Sequence, residues 1–308
     1  MSLPVRQFHD QEILQARGPK NEVSQSQPYA FLNEREASAA GHPVEISTIF
    51  LTNRECPFRC LMCDLWKNTT DNRVSPGAIP EQIRYALKQL PPATQIKLYN
   101  SGNFFDAKAI PPEDLPEIAE LIQPFERVIL ENHPLLCNQA CPEFQQQIPG
   151  QLEIALGLET IHPEVLPALN KRMTLDDFAR AVSFLREHAI EVRAFILLKP
   201  PFLNEAEGSE WAIRSVEYAF SLGVSCCAII PTRPGNGMLE RLQSTGEFSI
   251  PQLSSVESVL EQCLQLRQGR VLMDLWDLES LYADEFNLTQ RLDRLSQMNL
   301  TQTVIPSV

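Results

Sequence analysis

From residue 44 onward, short runs of β-branched and aliphatic residues alternate with longer segments whose apolar positions recur every three or four residues. Six runs read as strands: 44–51, 95–99, 125–130, 152–158, 191–198 and 224–230. Between them lie helical patterns. Pro80 occupies the first turn of a helix over 81–90, with Ile83, Ala86, Leu87 and Leu90 on one face. Segment 113–123 reads as a helix, and 139–147 as a weak one. Thr174 N-caps a helix that runs to His188, with Asp177 at its third position. A helix over 205–222 stops at Gly223. Beyond Pro251 a helix continues to Leu266, and 271–276 fits strand or helix equally. Over 287–302, Leu288, Leu292, Leu295 and Met298 are spaced for one helix face.

Strands alternating with helices predict an α/β fold: a parallel sheet covered by helices, curled into a barrel or an open partial barrel by right-handed crossovers. The pattern divides the chain into an N-terminal extension over 1–43, a barrel over 44–246 and a mostly helical C-terminal segment over 247–308. In the extension only Pro28-Tyr29-Ala30-Phe31-Leu32 offers apolar surface, with Tyr29, Phe31 and Leu32 as expected anchors. Ligands in such folds sit at the carboxyl ends of the strands. There the sequence places Cys56 to Cys63, Asn100 to Asn103, Glu131 to His133, Glu159, Lys199, and Pro231 to Gly235.

Composition narrows the partners. Lysine and arginine total 26 against 39 acidic residues, a net charge of −13, which opposes nucleic acid and anionic membranes. No apolar run approaches the ~20 residues of a membrane span. Eight cysteines in 308 residues, three of them clustered, do not form a disulfide scaffold, so a reduced, cytoplasmic enzyme is expected.

That cluster is Cys56-Pro57-Phe58-Arg59-Cys60-Leu61-Met62-Cys63, directly after the first strand. Thiolates favour zinc, copper(I) or iron–sulfur clusters. A structural zinc site normally closes with four ligands, whereas the local set here stops at three. A cubane cluster on three cysteines keeps one iron open to an outside ligand. A zinc knuckle completed by Cys137, Cys141 or His133 remains the alternative, and would make the chain a non-catalytic binding protein. Cys226 and Cys227 sit in an apolar strand and Cys263 in a helix, as core thiols.

Cys-x3-Cys-x2-Cys, with apolar Met62 before the last cysteine, resembles the signature of the radical S-adenosylmethionine enzymes. The resemblance implies a partial (β/α)6 barrel with a 4Fe–4S cluster on Cys56, Cys60 and Cys63. It implies reductive cleavage of S-adenosylmethionine to a 5′-deoxyadenosyl radical, and a flavodoxin- or ferredoxin-like electron donor. Phe58 and Leu61 would shield the cluster, and the Met62 backbone would lie by the adenine. Ser101, Gly102 and Asn103 stand where many members carry a Gly-Gly-Glu-like element for the methionine amino group. This chain departs from that pattern, having no carboxylate before Asp106. Glu159 is placed to accept ribose hydroxyls, and Arg172, beside Lys171, to grip the methionine carboxylate. Lys199 and Ile230 complete the expected cofactor contacts. Glu131, His133 and Lys199 are the catalytic candidates, although such a lysine more often snorkels and such a histidine is more often structural.

Lys97 to Asp106 and Leu197-Leu198-Lys199-Pro200-Pro201-Phe202 narrow the resemblance to the archaeosine-biosynthesis radical enzymes, and through them to the radical domain of the Elongator catalytic subunit. That likeness implies a lyase acting on a modified tRNA base. The acidic composition and the lack of a dense basic helix instead favour a small molecule or peptide, with Lys199, His133 and Arg233 as contacts and no direct tRNA binding.

Overall fold

The computed structural model describes residues 4–306. One eight-stranded sheet runs in sequential order: β1 (Ala30–Ala37), β2 (Pro43–Phe50), β3 (Gln95–Tyr99), β4 (Arg127–Asn132), β5 (Gln151–Glu159), β6 (Glu191–Leu198), β7 (Cys226–Pro231) and β8 (Arg270–Met273). β1 is antiparallel to β2, and all other neighbours are parallel. The sheet curls into a half-barrel with helices outside. The six expected parallel strands are β2 to β7, and the sheet extends one strand further on each side.

Alternation along the strands sorts residues between two environments. Ile49, Leu98, Val128, Ile154, Ile196 and Ile229 face outward and pack against helix residues such as Ile83, Ile118, Phe178, Val216 and Val259. Intervening positions face the lumen. At its amino end they form an ion network: Arg193 bonds Glu153 at 2.6 Å and Glu36 at 2.9 Å, and Arg270 meets Glu153 at 2.8 Å. Arg127 bridges Glu153 and Glu191, and Lys97 bridges Glu34 and Glu36. Four carboxylates face four cations, so burial of each charge is compensated. Burial alone would raise the Glu153 carboxyl, but Arg193, Arg270 and Arg127 hold it down to about 2. The same opposition, won by Arg193 and Lys97, keeps Glu36 well below the usual carboxylate range.

This network explains the strand absent from the sequence expectation. Within Ala30–Ala37, Glu34 and Glu36 fall in the expected N-terminal extension, yet both point into the lumen and pair there. The ambiguous 271–276 segment supplies β8, and Arg270 donates across the barrel to the Ala37 carbonyl at 3.3 Å, joining opposite sheet edges. The helix Leu288–Thr301 packs against both β1 and β8. Asn299 donates to the Met273 carbonyl and accepts from its N–H, both at 2.8 Å, and Gln302 does the same at Val271. The Thr174 cap is present, with Asp177 returning the bond to the Thr174 N–H. Helices Asp10–Ala16 and Met238–Ser244 had no counterpart in the sequence reading. Among the described residues no helix is long and apolar enough to cross a membrane.

Candidate active site

The cysteine stretch leaves the carboxyl end of β2 as an irregular loop fixed by backbone contacts. The Leu61 N–H donates to the Leu169 carbonyl at 2.8 Å. Buried Asn236, from the loop after β7, donates to the carbonyls of Leu61 at 2.6 Å and Cys63 at 3.4 Å, and its Oδ1 accepts the Leu239 N–H. Nothing in the local sequence marked Asn236; its role depends on a contact across about 170 residues. Arg59 donates to the Cys56 and Phe58 carbonyls and pairs with Glu55, which also binds Arg17 and Lys20. Cys56, Cys60 and Cys63 are half-buried and unbonded to other cysteines. Desolvation pushes all three thiols up, Cys60 to about 12, and their mutual proximity adds to this at Cys60 and Cys63. Three thiols so placed need a positively charged partner to ionise together. Among the described residues no group of three or more His, Cys, Asp and Glu side chains is arranged to hold a metal ion.

β3 ends in the turn Asn100 to Asn103, with Ser101 in the left-handed region at φ 55°. Glu131, on β4, organises this turn: one carboxylate oxygen accepts the N–H of Asn100 at 2.5 Å and of Gly102 at 3.2 Å. Burial lifts the Glu131 carboxyl to about 7 despite those bonds. Gly102 lies against Cys56: a Cβ there would stand 3.2 Å from the cysteine Cβ. Asn103 donates from Nδ2 to Cys56 Sγ at 3.2 Å and accepts the His133 N–H on Oδ1 at 2.7 Å. Ser101 donates to the Tyr29 hydroxyl at 3.1 Å.

Both His133 ring nitrogens are engaged. Nδ1 accepts the Leu135 N–H at 3.2 Å, so Nε2 carries the proton and donates to the Lys171 carbonyl at 3.0 Å. Burial, then Lys171, pull its pKa down to about 3, leaving a neutral ring. That ring stacks on Phe58, with centroids 3.8 Å apart and planes inclined by 12°. The Cys137 thiol accepts from Asn132 Nδ2 at 3.7 Å and donates to the His133 carbonyl at 3.9 Å.

At β5 the register slips between Gly157 and Glu159, and Glu159 takes φ 66°. Its carboxylate meets Lys171 Nζ at 2.5 Å in a buried pair. Burial opposes the Lys171 charge, but Glu159 and the nearby Cys60 hold its pKa above the usual lysine value. Arg172, the neighbour singled out from sequence, is exposed and bonds Asp10 at 2.5 Å. Lys199, at φ 54°, spends its donors on Glu205 at 2.6 Å, Ser249 at 2.7 Å and the Ile250 carbonyl at 3.2 Å. It therefore ties β6 to the helix Glu205–Ser221 and the 249–250 segment. Arg233 pairs with Asp274 at 2.9 Å, and Ile230 and Met62 are half-buried against a second apolar cluster with Leu61 and Leu197. The structure thus gathers Phe58, Ser101, Gly102, Asn103, Glu131, His133 and Glu159 around the cysteine loop, and engages Arg172 with Asp10 and Lys199 with Glu205, Ser249 and Ile250.

No protein-family model matches the chain. An uncharacterised protein of Methanocaldococcus jannaschii is 24% identical over 242 residues, 73% of this chain and 66% of the relative. Archaeosine synthase subunit beta of Methanosarcina acetivorans is 27% identical, covering 66% of this chain and 61% of the relative. Its namesake in Thermococcus kodakarensis is 27% identical over 78% of each chain. The chain therefore spans less than two thirds of the first two relatives. Among solved structures, methylornithine synthase superposes with a TM-score of 0.54 at 13% identity, over 98% of this chain and 95% of that one. Archaeal Elp3 of Methanocaldococcus infernus gives 0.54 at 14% identity, over 71% and 59%. These two likenesses establish the half-barrel fold. The resemblance to archaeosine-biosynthesis and Elongator proteins read from the sequence is met by relatives and neighbours bearing those names.

Proposed function

We propose that this chain is a radical S-adenosylmethionine enzyme whose 4Fe–4S cluster is held by Cys56, Cys60 and Cys63 at the mouth of the half-barrel. The observation that carries this reading is the packing of the three-cysteine loop against the left-handed ends of β3 and β5, with a side-chain N–H of Asn103 aimed at the Cys56 sulfur. The residues present suit such groups. Both polar atoms of the fully buried Asn100 carboxamide lack a partner, as do Thr52 Oγ1 and Asn53 Oδ1 at the end of β2. Buried donors and acceptors left this way favour a polar ligand beside them.

When bound, the cluster supplies the electron that cleaves S-adenosylmethionine and releases a 5′-deoxyadenosyl radical able to take a hydrogen atom from a substrate. The chain's own residues shape the surroundings. Asn236 and the Leu169 carbonyl fix the cysteine loop. Phe58, backed by the neutral His133 ring, excludes water from it. Glu131 sets the Asn100 to Gly102 backbone, and Glu159 offers a carboxylate to ribose hydroxyls while Lys171 neutralises its charge. The ion network plugs the amino end of the lumen, so the substrate enters from the carboxyl end, above the half-buried rings of Phe50, Tyr99 and Phe195. A flavodoxin- or ferredoxin-like protein delivers the electron.

The substrate is a small molecule or a peptide in the first reading. A second, radical chemistry on a tRNA base, is favoured by the two relatives named archaeosine synthase subunit beta. With a net charge of −13, this chain would then rely on a basic partner to bring the RNA. Anaerobic reconstitution tests the main reading: about four irons per chain and slow formation of 5′-deoxyadenosine by the reduced protein are expected. Stoichiometric zinc without iron–sulfur absorption overturns it. Filter binding to total tRNA at near-physiological salt separates the substrates, since tight, salt-sensitive binding by the isolated chain moves the RNA reading to first place.

A further inference from the structure

We propose that Asn103 is a positioning residue that raises the reduction potential of the cluster by donating a hydrogen bond to the Cys56 sulfur, an inference that rests on the reading above. The carboxamide is buried, and its orientation is decided at both ends. Oδ1 accepts the His133 N–H at 2.7 Å, which turns Nδ2 toward Cys56 Sγ at 3.2 Å. A flipped amide would set its oxygen against the sulfur and its NH2 against the His133 N–H, two repulsive contacts. The turn cannot withdraw either, because Gly102 packs on the Cys56 Cβ and the Gly102 N–H is held by Glu131. His133 is anchored in turn through both ring nitrogens.

A ligand sulfur gains electron density when its cluster is reduced, so an N–H aimed at it stabilises the reduced form more than the oxidised one. The buried cation near these thiols, Lys171, is already paired with Glu159 at 2.5 Å and acts on them as a dipole rather than as a free charge. Among the described residues, Asn103 is the side chain that donates to a ligand thiol.

The test is an EPR-monitored redox titration of the 308-residue chain, reconstituted anaerobically, beside Asn103→Asp and Asn103→Ala. Aspartate keeps an acceptor for the His133 N–H but loses the donor, whereas alanine loses both. Both midpoints are expected to move negative, Asn103→Asp further. At the wild-type midpoint, the ratio of reduced to oxidised cluster in Asn103→Asp should fall about tenfold, which for one electron is ~59 mV. Variants that keep full iron and titrate at the wild-type midpoint overturn the proposal. So do variants that lose iron altogether, or whose remaining clusters titrate unchanged, because Asn103 then only builds the loop. A wild-type chain that takes up no iron refutes the proposed function itself, and this inference with it.

Discussion

Lys171 and Glu159 close a buried ion pair at 2.5 Å directly over Gly157, and the missing side chain of that glycine is what admits them. A Cβ at Gly157 would stand 2.1 Å from a Glu159 oxygen and 2.2 Å from the Lys171 nitrogen. Both are ends of flexible side chains, so Gly157→Ala should part the ion pair rather than shift β5. Two poorly compensated charges would then lie beside the cysteine loop. A loss of about 1–3 kcal/mol in denaturant unfolding is expected, with weakened S-adenosylmethionine binding in equilibrium dialysis. Unchanged stability and binding would show that the pair tolerates separation.

The raised Glu131 pKa makes stability depend on pH. The folded state keeps its proton up to about 7, whereas an unfolded glutamate releases it near its ordinary value of 4.5. This contribution is complete below about 4.5 and disappears as pH rises through 7. His133 acts oppositely: its pKa is lowered to about 3, so its contribution is lost as pH falls below the ordinary histidine range. The informative quantity is therefore the difference between wild type and Glu131→Gln, whose amide oxygen can still accept the turn N–H groups. Relative to the variant, the wild type should lose on the order of 3 kcal/mol between pH 4.5 and 7 in urea titrations. Parallel curves would exclude the shift.

Replacing Cys56, Cys60 or Cys63 by alanine should abolish iron uptake, because each loss leaves too few ligands. Cys226→Ala should retain the cluster, since that thiol is buried at the start of β7 beside the ion network. Iron analysis with ultraviolet–visible spectra after anaerobic reconstitution checks both halves.

Glu153 is fully buried and serves Arg193, Arg270 and Arg127 together. Glu153→Ala leaves three guanidinium groups short of a carboxylate inside the barrel, a change expected to cost about 3–5 kcal/mol by denaturant unfolding. A cost below ~1 kcal/mol would mean that water or rearranged partners replace it readily.

Legibility from the sequence followed the type of burial. Strands β2 to β7 announce themselves because their outward faces are aliphatic, and the cysteine loop is conspicuous because three thiols fall within eight residues. β1 is hidden because half its contribution is ionic: Glu34 and Glu36 look solvated until Lys97 and Arg193 are brought to them by the curl of the sheet. The same limit applies at the site. Nothing in Asn170-Lys171-Arg172 says which basic residue turns inward; positive φ angles at Asn170 and Arg172 decide it, burying Lys171 and exposing Arg172. Lys199 stands at a strand end as expected, but distant Ser249 and Ile250 claim its donors.

The carboxamides of Asn299 and Gln302 have a consequence for the protein in a crowded solution. The outer edge of β8 presents N–H and C=O groups that invite a strand from another molecule. At Val271 and Met273 those groups are occupied by side chains that mimic a neighbouring strand but carry no backbone onward. The half-barrel can stay open as architecture while being closed as a template for fibrillar growth.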